Sequence, residues 1–292
     1  AVPAGKLVRC WLPYPRTDQA RQRDVKFISA SEPDYVLSPQ ECRHSTLYME
    51  KRAVQGEPTV FSETFEYTSC GEWHNLRAED VLPYDTTTAL YKEYTAEREK
   101  HIVFSPRLRE LAAKLTAGET NPYLKAKRIF RWINDHFPWA SAREYSTIEN
   151  IPEYVLDNRH GDCGQVSLLF ITLCRISGIP AHFQSGFMMH PRAWNLHDWA
   201  EVYFEGVGWV PVDQSFGIPA FARNADEEYF FLGGIDSWRM IVNTDYGMPL
   251  VPEKKYPRSE TVDFQRGEVE WEGGNLYFPQ WSYHMDIDYL NY

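Results

Sequence analysis

Residues 165–177, QVSLLFITLCRIS, constrain this chain more than any other stretch, because the run is apolar nearly all round and ends at Gly178, an ordinary helix stop. A helix with no polar face must be enclosed by other elements, so the run predicts a buried central helix. Gly161-Asp162-Cys163-Gly164 precedes it. After it come 179–187, 197–204 and 208–213, separated by Gly or Pro and read as successive antiparallel strands. A helix followed by an antiparallel sheet is an α+β arrangement.

The flanks differ from this middle. Residues 1 to about 75 read as strands, at 7–12, 47–54 and 59–67, with Gln55-Gly56-Glu57-Pro58 as a predicted hairpin connection between the last two. A small antiparallel sheet or sandwich-like region is expected there. Beyond Asp85 the pattern turns helical, at about 105–117 and 122–137. The second of these helices opens with Asn121 as N-cap and Pro122 at the first helical position. Ala126, Ile129, Phe130, Ile133 and Phe137 form its apolar stripe. From about 251 the chain is polar and aromatic, punctuated by Pro252, Pro257 and Gly273-Gly274. The chain thus divides into an N-terminal β-rich region (1–100), a core of helices followed by strands (101–250) and a C-terminal aromatic β extension (251–292).

Bulk properties exclude several function classes. A 292-residue chain with 43% hydrophobic and 24% charged residues is ordinary globular material. The net charge of −11 offers no field for phosphate backbones, so nucleic acid is not an expected partner. The longest mainly apolar stretch, 166–174, is far short of the roughly 20 residues that cross a bilayer, so membrane insertion is not expected. The opening Ala1-Val2-Pro3-Ala4 has no initiator Met and suits a processed or truncated start. A periplasmic or secreted location would fit a removed signal peptide, although no motif encodes the compartment. The five cysteines, at 10, 42, 70, 163 and 174, are odd in number and contain no CxxC pair. Neither a disulfide framework nor a zinc site is indicated. His160, His182 and His190 lack metal-ligand spacing, so no metal and no cofactor are expected. The aromatic fraction, 15%, is read mostly as core.

Cys163 stands where the central helix should begin, with Asp162 as a natural N-cap. Free N–H groups and the positive helix end favour a thiolate there, so a depressed thiol pKa is expected, and the same N–H groups could receive an oxyanion. The plain alternative is a small residue buried at a helix start. His197 opens one predicted strand and Asp213 closes the next, positions that a short antiparallel connection brings together. Taken singly, His197 reads sooner as a polar cap on an edge strand and Asp213 as a turn residue. Asp198 is another possible partner for the imidazole, but period two points its side chain away from that of His197. Cys174 lies about 16 Å along the helix from Cys163 and is expected in the core.

Three ordered blocks carry a resemblance. Gly161-Asp162-Cys163-Gly164-Gln165 with Arg175-Ile176-Ser177-Gly178-Ile179-Pro180-Ala181, then His197-Asp198-Trp199-Ala200-Glu201-Val202-Tyr203, then Gly208-Trp209-Val210-Pro211-Val212-Asp213 resemble the transglutaminase-like, papain-like cysteine core of bacterial members with flanking β regions. The likeness covers about 121–217. It implies Cys163 as nucleophile, His197 as base and then acid, and Asp213 as the group orienting the imidazole. It also implies a thioester formed from an amide of a peptide or protein and released to water or to an amine, with hydrolysis favoured. A second oxyanion donor is implied before the cysteine, where Trp139 is the candidate and Tyr145 the alternative. Trp194 and Trp199 are candidates for the substrate cleft. The competing expectation is a noncatalytic module that keeps this fold to bind glycan or peptide.

Overall fold

The ends of the central helix explain its limits. It runs Cys163–Ile176; the Asp162 side chain accepts from the Gln165 N–H while the Gln165 side chain accepts from the Asp162 N–H, satisfying two backbone donors at once. At the other end Gly178 sits at φ +77° and the Ile179 N–H returns to the Cys174 carbonyl (2.9 Å), a left-handed stop that suits glycine. Every residue from 164 to 175 is buried, as an all-apolar run requires.

The computed structural model describes residues 2–141 and 143–290. In chain order the elements are β1 (Leu7–Pro13), β2 (Gln22–Ala30), β3 (Tyr35–Leu37), β4 (Thr46–Arg52), β5 (Glu63–Ser69), β6 (Glu72–Trp73), α1 (Ala89–Tyr94), α2 (Pro106–Leu115), α3 (Pro122–His136) and α4 (Ile151–Asn158). The central helix is α5, followed by β7 (Ala181–Met188), β8 (Asn195–Phe204), β9 (Gly208–Val212), α6 (Ala225–Glu228), β10 (Gly234–Ile235), β11 (Arg239–Asn243), β12 (Glu268–Trp271) and β13 (Gly274–Leu276). The fold is α+β with antiparallel pairing in every strand register described.

Two compact units emerge. One holds the segment ending at Cys70, Ser185–Leu196 and the segment from Trp238 onward; the other holds Gly71–Gln184 and His197–Ser237. These lines follow spatial proximity, whereas the division at 100 and 250 followed composition.

In the first unit β13-β12-β1-β4-β3 form one sheet, with Cys10 of β1 opposite Val269 on one side and Met49 on the other. The C-terminal segment therefore completes the sheet begun at the N-terminus. Trp11, Phe187, Met240, Val242 and Phe264 share its main core. β2 pairs with β5, and β11 pairs with residues 185–188 of β7. The expected hairpin between β4 and β5 does not form: β4 already has β1 and β3 on its two edges, so β5 pairs with β2 instead. Buried carboxylates of β12 organise the polar stretch that precedes it. Glu268 accepts from the Ser259 and Glu260 N–H groups and pairs with Lys254 (2.6 Å), and Glu270 accepts from the Lys255 and Tyr256 N–H groups. Backbone donors that have no ladder partner are satisfied in this way.

In the second unit α2, α3 and α4 pack on α5. The α3 stripe is buried as expected, and its Phe130 meets Phe170 of α5 edge to face at 6.3 Å. β7, β8 and β9 lie side by side in that order, with Ala200 opposite Val212 and Phe204 opposite Gly208 across the tight β8–β9 turn.

Candidate active site

The β8–β9 register sets one half of the site. Val212 is the last ladder residue opposite Ala200, so Asp213 leaves β9 beside the start of β8. There its Oδ2 lies 2.7 Å from His197 Nε2. The pair is enclosed, with Asp213 fully buried and His197 nearly so. Asp213 Oδ1 accepts from the Ser215 and Phe216 N–H groups at 3.2 and 3.0 Å, which fixes the carboxylate independently of the histidine. The imidazole is flanked by Phe216 at 5.3 Å and Trp199 at 5.9 Å.

Behind Trp199 runs a chain of buried and half-buried polar groups. Its indole N–H donates to Gln184 Oε1, Gln184 Nε2 donates to Glu201 Oε2 (3.1 Å), and the same oxygen meets His182 Nε2 at 3.2 Å. His182 is thus engaged in a carboxylate pair wedged against Trp209, their ring centres 4.4 Å apart. Among the described residues no group of three or more His, Cys, Asp or Glu side chains is arranged to hold a metal ion.

The other half is the start of α5. Cys163 Sγ donates to Asp198 Oδ2 at 3.4 Å, and the backbone N–H of Asp198 also points at the sulfur. The thiol therefore sits against the peptide that joins His197 to Asp198. The hydroxyl of Tyr145, from the turn Tyr145–Thr147, donates to Asp162 Oδ1, lies 3.3 Å from Asp198 Oδ2, and accepts from the Gly164 N–H (3.2 Å). Gly164 permits this, since a Cβ there would stand 2.5 Å from the Tyr145 oxygen and 2.6 Å from Asp198 Oδ2.

Electrostatics at the sulfur run against the expected depressed pKa. Burial, then the carboxylates of Asp198 and Asp162, push the Cys163 thiol well above its ordinary value, and the Asp198 N–H opposes them only in part. Burial likewise raises the Asp162 carboxyl, against the hydrogen bonds from Tyr145, Gln165 and Gly164. The helix start supplies donors, but Asp162, the residue that caps them, also brings negative charge.

The other candidates fall in different places. Trp139 is 58% exposed; its backbone bridges Gly161, and the Ala140 N–H donates to the Gly161 carbonyl (3.1 Å), tying this loop to the chain two residues before Cys163. Trp194 is partly exposed and belongs to the first unit. Trp199 has no exposed surface and gives its indole N–H to Gln184, so it packs behind His197 rather than lining an open cleft. Cys174 is buried in α5 as expected, and all five cysteines are free.

Residues 109–214 match the family model for the core of the transglutaminase-like superfamily. The chain is 26% identical over 140 residues to the uncharacterized protein YebA of Bacillus subtilis, covering 41% of this chain and 19% of that protein. It is 23% identical over 125 residues to a protein-glutamine gamma-glutamyltransferase of Pseudomonas aeruginosa, covering 39% of this chain and 19% of that one. The matched part is thus about a fifth of the length of either relative. Among solved structures, the "putative cysteine protease" of Cytophaga hutchinsonii superposes with a TM-score of 0.54 at 17% identity, covering 92% of this chain and 93% of that one, a likeness of fold along nearly the whole length. The segment that resembles the transglutaminase-like superfamily, residues 109–214, contains Cys163, His197 and Asp213.

Proposed function

We propose that this chain is a thiol-dependent enzyme acting on amide bonds of peptides or proteins, in which Cys163 forms a thioester that water then releases. The observation that carries the reading is the enclosed His197–Asp213 pair, 2.7 Å apart, on the strand whose next peptide touches the Cys163 sulfur. In this scheme His197 takes the thiol proton and returns it to the leaving amine. Asp213, held by two backbone N–H groups, keeps the imidazole oriented and balances the imidazolium. Because the Gly164 and Gln165 N–H groups are engaged by Tyr145 and Asp162, the Cys163 N–H at the start of α5 receives the oxyanion, with Trp139 as the second donor. Hydrolysis is favoured over amine transfer because no acceptor-lysine site is legible, and a solved structure sharing this fold over nearly its whole length carries a protease name.

One feature favours a second reading, a noncatalytic module that binds peptide or glycan: burial, then the Asp198 and Asp162 carboxylates, raise the Cys163 thiol, and a thiol so raised is a poor nucleophile. Turnover separates the two. With a panel of fluorogenic peptide amides, the wild-type chain should release amine and leave a new carboxylate, with no incorporation of an added primary amine. Cys163→Ala and His197→Ala should each lower turnover by at least about a thousandfold while circular dichroism stays native. Turnover that survives Cys163→Ala would sink the mechanism, and incorporation of the amine would move the assignment to acyl transfer.

A further inference from the structure

The residue that touches the sulfur is not part of the expected triad. Asp198 is buried, and its Oδ2 accepts from the Cys163 thiol at 3.4 Å. It is held there by design of the backbone: Gly164 has no Cβ to collide with it, and the Tyr145 hydroxyl stands 3.3 Å from the same oxygen while bonded to Asp162 and Gly164. We propose that Asp198 is a proton latch on Cys163, a carboxylate placed on the sulfur to keep the thiol protonated and so to set the pH above which this cysteine reacts.

The physical argument is one of like charges. In the resting pair the proton stays on Sγ and is shared with Oδ2, so the Cys163–Asp198 pair itself carries one negative charge. Activation breaks the S–H bond and passes the proton to the base, His197 in the proposed mechanism, leaving the thiolate against an ionised carboxylate. Two anions at that separation oppose one another, and the opposition is strong where water is excluded. The titratable groups around the thiol are Asp198 from β8, Asp162 ahead of α5, and Tyr145 joined to both, while the His197 imidazole is engaged by Asp213. The raised thiol agrees with this set, Asp198 being its largest charged cause and Asp162 the next.

The latch rests on the proposed nucleophile for its meaning in turnover, but its test needs no substrate. Iodoacetamide labelling of Cys163 is followed against pH on the full chain, peptide by peptide, in wild type, Asp198→Asn and Asp162→Asn. Asparagine keeps the size and an acceptor oxygen but removes the charge. Asp198→Asn should lower the labelling midpoint by about one unit, and since a less basic thiolate is a weaker nucleophile, labelling at pH 7 should rise about three- to fourfold. Asp162→Asn, still able to cap the helix, should move the midpoint less. An unchanged or higher midpoint in Asp198→Asn overturns the proposal. Should that variant lose its native circular dichroism, the wild type still decides: the thiolate absorbance near 240 nm, taken as the difference from Cys163→Ser, must titrate above the ordinary thiol value of about 8.5, and a lower midpoint overturns the latch. Failure of the enzyme reading would look different, with the labelling midpoint shifted in Asp198→Asn and no amide turned over by any variant.

Discussion

At the scale of single residues, Gly164 is the point on which the site's spacing depends. Alanine is the better helix former by about 1 kcal/mol, yet its methyl carbon would meet the Tyr145 oxygen at 2.5 Å and the Asp198 carboxylate at 2.6 Å. Overpacking of this kind typically costs about 1–3 kcal/mol, so the clash outweighs the propensity gain. Gly164→Ala should lower the melting temperature and alter Cys163 labelling, because the groups displaced are those set around the thiol. A variant that melts and labels like wild type would show that Tyr145 and Asp198 can withdraw at no cost. Much of this site was legible beforehand. Gly161-Asp162-Cys163-Gly164 announced a capped helix start, and the spacing of His197 from Asp213 across one tight turn placed two side chains that meet at 2.7 Å. Strand alternation turns Asp198 away from the face on which His197 meets its carboxylate. Alternation tells which face a strand residue takes but not what occupies that face, and the occupant here is a cysteine 35 positions earlier in the chain.

At the scale of elements, the long helices could be read because their signals are local. α3 carries its cap, its proline and its stripe within its own residues, and α5 its reciprocal cap and glycine stop. The eight-residue α4 was not foreseen, being too short to display a period, and part of its start comes from a distant residue. His101 Nδ1 accepts the Ile151 N–H at 3.3 Å, an N-terminal donor that the helix itself cannot satisfy. Burial, then the charges of Lys100 and Arg98, lower the His101 imidazole to about 4. The unfolded chain, titrating near 6.5, binds the extra proton between those two values. Stability from this group is therefore fully present above about pH 6.5 and is lost as the pH falls toward 4, up to about 3 kcal/mol in all. His101→Asn keeps an acceptor for Ile151 without titrating, so its melting temperature should fall less than that of wild type between pH 6.5 and 4. Parallel curves for the two proteins would remove His101 as the cause. The failed β4–β5 hairpin has the opposite origin from α4: the turn signal was local and real, but whether a strand has a free edge depends on the whole sheet.

At the scale of the whole molecule, composition and compactness divide the chain differently because they measure different things. The polar, aromatic C-terminal segment looks like an appendage in sequence, yet β12 pairs with β1 in the middle of the first unit's sheet. The helical centre looks self-contained, yet residues 185–196 within it belong to that first unit. Phe187 and Met189 there are buried with Trp11, Tyr48, Met240 and Phe264, none of which lies between 71 and 237. A fragment spanning 71–237 keeps every residue of the second unit and exposes that apolar patch, forfeiting about 1.5–3 kcal/mol of burial for each large side chain uncovered. The strand pairing of 185–188 with β11 is lost as well, leaving an unpaired edge in the same place. The fragment should therefore bind a hydrophobic dye, self-associate in sedimentation and melt below the full chain. Replacing Phe187 and Met189 by serine should reduce the dye binding and self-association of the fragment but destabilise the full-length protein, an opposition of sign that follows only if these side chains serve the first unit. A monomeric, dye-silent fragment with the full chain's melting temperature would show instead that residues 185–196 are at home in the second unit.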